Sequence, residues 1–391
     1  MSVVVSSLIP AAVGQYQSAP GRPAWAAEAV PAGLLVALSE MADPRARRGV
    51  RHPLVVVLGI AVCAVLAGAR SFVAIAEWAG DLPPSVRRAL GVGRAVPCES
   101  TIRRVLERAD PDALDRCVCD GLAATAGPAP APAAGRRQIC VDGKTARGAR
   151  RPTGRAQHLL AAVDTDTGVV LGQCEVDQKT NEISAFGPLL DRIELAGTLV
   201  SADAVHTQTR HAGYLRARGA AYLFTVKGNQ PRLHAQLAAL PWAKVQPGDI
   251  NWECSHGRVE TRTLQITAVR AGIDFPHARL AARITRKRVA GGVTAKETVY
   301  AITDLDWGEI DPVQLADALR AHWVIENRLH WVRDVTFDED RSAVRTGHGP
   351  AVMATLRNLA ISIHRRSGAT NIARACRHTS RHPLRTIPLI S

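Results

Sequence analysis

QICVD (residues 138–142) and GTLVSAD (residues 197–203) are two short apolar runs, and each ends on an aspartate. Apolar runs of four to eight residues closed by polar or turn residues read as buried strands. Between them, QHLLAAVD (157–164) and GVVLGQCEV (168–176) read as two more strands separated by the turn residues TDT. NEISAFGPLLDRIELA (181–196) has helical periodicity. Beyond the second aspartate, TQTRHAGYLRARG (207–219) is helical, AYLFTV (221–226) is a strand and PRLHAQLAAL begins a helix. The order β-β-β-α-β-α-β-α predicts an antiparallel meander extended by parallel strands into one mixed sheet. Adjacent strands of such a sheet would bring Asp142 and Asp203 to a common edge.

The flanks read differently. Residues 1–30 are small and apolar with several prolines and predict a flexible N-terminus. Residues 31–125 predict a helical domain: amphipathic GLLVALSEM, a basic loop DPRARRGVRHPL, a long apolar run at 54–69, then SFVAIAEWAGDL and PCESTIRRVLERADPDALDRCV. In the last of these, Glu99 or Ser100 is placed to cap a helix striped by Arg103, Arg104 and Arg108. That stripe fits either a weak helix-turn-helix signal for DNA or a solvated arginine face. Residues 126–137 are a Pro/Ala/Gly linker. The mixed-sheet core is expected over 138–240 and its closing helices over 306–391, with a β-rich block at 241–305 whose hairpin turns near Gly291 and Gly292.

Composition limits the function. The chain has 391 residues, 47% of them hydrophobic, and a formal net charge of +14. This is a folded protein, and its charge, carried mostly by arginine, suits a polyanion such as nucleic acid. The eight cysteines form no CxxC pair, which leaves a zinc ribbon or thioredoxin motif unsupported and fits a reducing cytosol. The start lacks the basic segment of a secretory signal. The apolar run at 54–69 is slightly short for a membrane span and reads as a buried core helix.

One acid stands out in this basic chain. HWVIENRLHW (322–331) places His322, Glu326 and His330 on one face of a helix, with Arg333 close by. Glu326 is either a structural anion or a ligand for a cation. Asp142 and Asp203 would repel each other unless a proton or cation lay between them. Oxygen-only ligands favour Mg²⁺ or Mn²⁺ over zinc, and Glu326 as a third carboxylate would complete a site for two ions. Taken singly, a strand-end aspartate reads as a turn or helix cap. A zinc site at His322, Glu326 and His330 lacks a further soft ligand. Asp334, Asp338, Glu339 and Asp340 could rival Glu326, or form a solvated turn or salt bridges. Lys144, Arg147, Arg150 and Lys227 are candidates to hold DNA phosphates. His206, Asn229 and Gln230 could touch substrate or cap helices, and Trp323 and Trp331 could stack on a base or pack in the core.

Several ordered motifs carry a resemblance: VDGKTARG (141–148), EVDQKTNEISA (175–185), VSADAVHTQ (200–208), YLFTVKGNQ (222–230), HGRVETR (256–262), HWVIENRLHWVRDVTFDEDRS (322–342) and MATLRNLAI (353–361). From about residue 34 to near its end, the chain resembles bacterial insertion-sequence transposases of the DDE class, in the branch that includes the H-repeat-associated proteins. The resemblance implies an α/β, ribonuclease-H-like core with a β-rich insertion before the last catalytic helix. It implies Asp142, Asp203 and Glu326 as the catalytic, metal-binding triad, with two Mg²⁺ or Mn²⁺ ions. The family's tyrosine, arginine, glutamate, lysine signature falls on Leu319, His322, Glu326 and Arg333, so only the glutamate is kept. His322 and Arg333 are then expected at the DNA. The implied activity is cleavage at transposon ends and strand transfer, by a homodimer on terminal inverted repeats and target DNA in the bacterial cytoplasm. A nuclease that does not join strands, or a DNA-binding relic, would share these motifs.

Overall fold

The structure, a computed structural model, describes residues 33–48, 50–124, 135–150, 156–176, 182–255, 258–270 and 272–390. The segment expected to be flexible (1–30) and most of the expected linker lie outside these residues.

The helical part comprises α1 (Leu34–Ser39), α2 (Leu54–Leu66), α3 (Phe72–Gly80), α4 (Pro84–Ala89), α5 (Glu99–Leu106) and α6 (Pro111–Ala124). Every residue of α2 is buried, as expected of a helix that is apolar on all sides. Among the described residues no helix is long and apolar enough to cross a membrane. The cap of α5 differs from expectation. Cys98 holds the capping position without a side-chain capping hydrogen bond, its thiol meeting the Ser100 and Thr101 hydroxyls instead, and Glu99 is the first helical residue, where its charge complements the helix dipole.

The strands follow the expected order with one informative departure. They are β1 (Gln138–Arg150), β2 (Ala156–Asp164), β3 (Val170–Val176), β4 (Leu199–Ala202) and β5 (Ala221–Val226), with α7 (Glu182–Leu190) before β4, α8 (Thr209–Ala217) before β5 and α9 (Pro231–Ala238) after it. β1, β2 and β3 form the antiparallel meander. β4 joins β1, and β5 joins β4, in parallel. β1 does not stop at Asp142. Its pairing with β4 ends at Val141↔Ala202, while its pairing with β2 runs on to Arg150↔Ala156. The strand outlives its parallel neighbour because β2 still takes up its backbone hydrogen bonds.

The block at 241–305 extends this sheet. It contributes β6 (Pro247–Ser255), β7 (Arg258–Ala268), β8 (Leu280–Ala290) and β9 (Val293–Thr303). Gly291 and Gly292 both take positive φ (53° and 77°) at the β8–β9 turn, as a two-residue hairpin demands. β9 pairs with β5 from Leu223↔Thr303 to Val226↔Tyr300. One nine-stranded sheet results, in the order β3-β2-β1-β4-β5-β9-β8-β7-β6.

The chain closes with α10 (Pro312–Ala321), a π-helical turn (Ile325–His330), α11 (Trp331–Val335), α12 (Gly349–Arg366), α13 (Ile372–Ser380) and α14 (Ile387–Ile390). Alternation along β1 and β2 sorts the core. Ile139, Val141, Leu160 and Ala162 pack with Phe186 and Leu189 of α7. Cys140, Ala161 and Val163 pack on the other side, in one cluster with α2 and with Val352, Leu356 and Ile363 of α12. The N-terminal helices, expected as a domain of their own, therefore share a core with the sheet and with α12. α12 is buried from Gly349 to His364, and the N-terminal helices cover its apolar side.

Candidate active site

Asp142 and Asp203 stand one step beyond the last paired residues of β1 and β4, in matching register. The period of two puts Asp142 on the same face as Cys140 and Lys144. Asp203 also caps the short 3₁₀ turn Ala204–His206, its Oδ1 accepting from the Val205 N–H at 3.0 Å. Burial, and next the charge of Asp203, push the Asp142 carboxyl up to about 7. The carboxylates are thus near enough that ionising both is costly, which a cation between them would relieve.

Behind Asp142 lies a buried acid–imidazole cluster that the sequence reading missed. Glu182, at the start of α7, meets His158 Nε2 at 2.5 Å and lies 3.4 Å from His206 Nε2. His158 Nδ1 meets Thr145 Oγ1 at 2.8 Å. Burial alone would raise the Glu182 carboxyl, but the hydrogen bond to His158 and the nearby His206 imidazole bring it down to about 2. The available signal was His158, a polar side chain inside an otherwise apolar strand. His206, expected at substrate or at a helix cap, is fully buried here. The cluster also explains Gly143. A Cβ there would lie 2.7 Å from Glu182 Cδ and from His158 Nε2. Gly143→Ala is expected to cost roughly 1–3 kcal/mol by overpacking. Urea unfolding would measure it, and an unchanged midpoint would refute the close fit.

The Glu326 segment is not the regular α-helix expected. α10 ends at Ala321, and the backbone widens into the π turn before α11 resumes. Such turns are rare and recur at functional sites. His322 is near Ser201 of β4, its Nδ1 3.3 Å from Ser201 Oγ, and burial holds its imidazole down at about 4. His330 Nδ1 is 3.6 Å from Asp142 Oδ2, and burial brings His330 down to about 3. Both imidazoles are neutral at pH 7 and leave the aspartate charge uncompensated. Glu326, between them in the chain, is exposed, and among the described residues its side chain has no hydrogen bond or ion pair. The structure brings Asp142 and Asp203 together and leaves Glu326 outside contact with either. Among the described residues, no three His, Cys, Asp or Glu side chains converge closely enough to hold a metal ion, the zinc set His322, Glu326 and His330 included.

The residues expected at phosphates divide in two. Arg147, Arg150 and Lys227 are exposed. Lys144 is 9% exposed, and its Nζ donates to Asp334 Oδ2 at 2.6 Å, so it ties β1 to α11. Arg333 is fully buried and forks onto Glu339 at 2.8 and 2.9 Å. Burial takes both out of reach of DNA in this arrangement. Of the rival acids, Glu339 is buried in that pair, Asp334 holds Lys144, and Asp340 accepts from the Arg147 N–H. Asn229 and Gln230 donate to the Ala204 and Thr207 carbonyls and brace the loop after Asp203. Neither tryptophan enters the core. Trp331 is 57% exposed, and Trp323 carries Arg262 and Arg286 over its ring.

The family described as Transposase DDE domain matches residues 133–363, and one described as DDE_Tnp_1-associated matches residues 35–120. "Putative transposase YncI" of Escherichia coli O157:H7 is 30% identical over 351 residues, covering 85% of this chain and 87% of that protein. "H repeat-associated putative transposase YhhI" of Escherichia coli (strain K12) is 27% identical over 343 residues, covering 84% and 89%. A solved piggyBac transposase synaptic complex with hairpin DNA overlaps 91% of this chain and 77% of its own at a TM-score of 0.41 and 10% identity, a likeness too slight to carry an argument.

Proposed function

This chain belongs to the Transposase DDE domain family, and from that premise we propose that it cleaves transposon ends and transfers the strands into target DNA. The observation that carries the reading is the register of Asp142 and Asp203, side by side where the β1–β4 pairing stops, with Asp142 pushed up to about 7 by burial and by its neighbour. The strand order β3-β2-β1-β4-β5, with its antiparallel meander and two parallel additions, supports a ribonuclease-H-like core.

The donor set fits a hard divalent cation. Asp142 and Asp203 repel each other and would together hold Mg²⁺ or Mn²⁺, and Glu326 on the π turn, whose carboxylate is unengaged but does not converge with them in this arrangement, would have to move towards them to be the third ligand. Two such ions, when bound, supply an activated oxygen nucleophile and stabilise the leaving oxygen of an in-line displacement. The chain's own residues do the rest. Arg147, Arg150 and Lys227 are exposed and would hold phosphates. Lys144, through Asp334, holds the strand of Asp142 against the helix that follows Glu326. Joining two ends to one target calls for two copies, so the working form is a homodimer on terminal inverted repeats.

The test is an assay on labelled duplexes carrying the element's own ends, run with Mg²⁺, with Mn²⁺ and with EDTA. Cleaved and joined products with either metal, and neither with EDTA, are expected. Cleavage without joining would make the protein a nuclease. Tight end binding with no cleavage in either metal would leave a DNA-binding relic.

A further inference from the structure

The N-terminal helices carry a basic groove far from the strand-end carboxylates in sequence and unused by their chemistry. It has a volume of ≈ 830 Å³ and lies between the 45–52 loop, the 93–96 loop and α5. Thr101, Arg104 and Val105 of α5 line it, at i, i+3 and i+4 of one helix face, and Arg108 joins them from the turn that follows. The loops add Arg48, Arg51 and Arg94.

These five arginines, Arg48, Arg51, Arg94, Arg104 and Arg108, are exposed, and among the described residues none is in an ion pair. The nearby acids are already taken. Asp43 is held by Arg45 at 2.7 Å, and Glu99 and Glu107 by Arg103 at 3.1 and 3.8 Å. His52, on the groove wall, is held below its ordinary value by burial first and then by the charges of Arg45 and Arg51. Like charges gathered in a concavity focus a strong positive potential. Guanidinium forks match phosphate oxygens. Because the charges come from three separate segments, the groove suits a chain of phosphates better than a single anion. Among the described residues no tryptophan, tyrosine or phenylalanine lines it, so they offer no platform on which to stack unpaired bases. Arg104 of α5 lines the concavity, while Arg103 is tied to Glu99 and Glu107 on its own helix face, so α5 does not present a row of free arginines as a reading helix would.

We propose that this groove clamps the phosphodiester backbone of duplex DNA without reading its sequence, through Arg48, Arg51, Arg94, Arg104 and Arg108. The clamp deepens the reading of the chain as a transposase and rests on DNA being its substrate. It assigns Arg104 and Arg108 of the arginine stripe to positioning of DNA and leaves Arg103 to its ion pairs.

The experiment uses the full chain and two duplexes of equal length, one with the element's end and one scrambled. The variant is Arg94→Ala/Arg104→Ala/Arg108→Ala, with its fold checked by circular dichroism and thermal melting. The slope of log affinity against log salt is expected to fall by about 3, roughly one unit per lost phosphate contact, and equally on both duplexes. Cys98, exposed on the groove wall, gives a second readout. Hydrogen bonds from Ser100 and Thr101 bring its thiol down to about 7, so it alkylates readily near neutral pH. Duplex DNA is expected to slow that alkylation in the wild type and to have no such effect in the triple variant.

An unchanged slope with Cys98 unprotected would overturn the clamp. A slope change confined to the end duplex would overturn its indifference to sequence, and stronger protection by single-stranded DNA would overturn duplex as its ligand. A wild type that binds and protects Cys98 but cleaves nothing would keep the clamp and remove the transposase reaction. Normal cleavage with an unaltered slope in the variant would do the reverse.

Discussion

Glu326→Gln and Asp142→Asn are each expected to lower end cleavage by on the order of 10³-fold. Metal-assisted charge stabilisation contributes several kcal/mol, and each ~1.4 kcal/mol is a factor of ten in rate. Both variants keep the size of the side chain and remove a negative oxygen. They should differ in stability, which separates a ligand role from a packing role. Asp142 has its carboxyl raised from 3.8 to about 7 by burial and by Asp203. For an acid raised on folding, the native state holds the proton more tightly than the unfolded chain does. Its ionised form therefore costs stability, and the cost grows as pH rises from about 4 to about 7. Metal-free Asp142→Asn should melt above the wild type at pH 8, and the gap should close towards pH 4. Glu326 is exposed and unengaged, so Glu326→Gln should leave the metal-free melting temperature nearly unchanged. Mg²⁺ should raise the melting temperature of the wild type, since a ligand that binds only the native state stabilises it. It should do little for Asp142→Asn. A wild type indifferent to metal, with Asp142→Asn less stable at pH 8, would sink the metal-site reading. Full activity in Glu326→Gln would remove Glu326 from the triad.

The two aspartates were legible because strand signals are local. QICVD and GTLVSAD each announce an apolar run and its end, and the alternation of strands and helices gives the order in which they pair. The Gly291–Gly292 hairpin was legible for the same reason, since its turn chemistry lies in two adjacent residues. The β9–β5 pairing was not, because Leu223 and Thr303 are eighty positions apart in the chain and nothing near either one names the other. The shared core of α2 and α12 was hidden in the same way. Charged residues were the hardest to place. Lys144 follows Asp142 closely and reads as a phosphate contact, yet its partner Asp334 comes from 190 residues away. Glu182 and His158 lie 24 positions apart, and neither has a motif that declares burial. A charge in a polar run looks solvated unless its partner is known, and partners are a property of the fold.

Glu339 shows the consequence. It sits in the acidic run 334–340, which reads as a solvated turn or as salt-bridge partners, and it proves to be the second: it is 1% exposed, between two buried arginines. Arg333 forks onto it, and Arg357 of α12 donates to it at 2.8 Å. Arg333 also reaches Gln173 of β3 at 3.1 Å, so the cluster joins α11, α12 and the sheet. Burial would raise the Glu339 carboxyl, and the charges of Arg333 and Arg357 override it and bring it down to about 2. A depressed carboxyl contributes stability above its unfolded value, and loses it as pH falls from about 4.5 to about 2. Glu339→Gln would leave two buried guanidinium groups without a counter-charge. Breaking a buried pair in this way costs about 3–5 kcal/mol. Chemical denaturation at pH 7 should show that loss, and the gap from wild type should narrow below pH 4. Arg357→Met should cost less, because it leaves the Arg333 fork and a neutral pair in place. α11 follows directly on the π turn that carries Glu326, so the cluster also fixes where that carboxylate stands. Glu339→Gln should then lower cleavage even where the protein remains folded, while DNA affinity stays near that of the wild type. Had Arg333 served as a phosphate contact, Arg333→Met would weaken DNA binding and flatten its salt slope. Buried as it is, Arg333→Met should instead lower stability and cleavage and leave the slope unchanged.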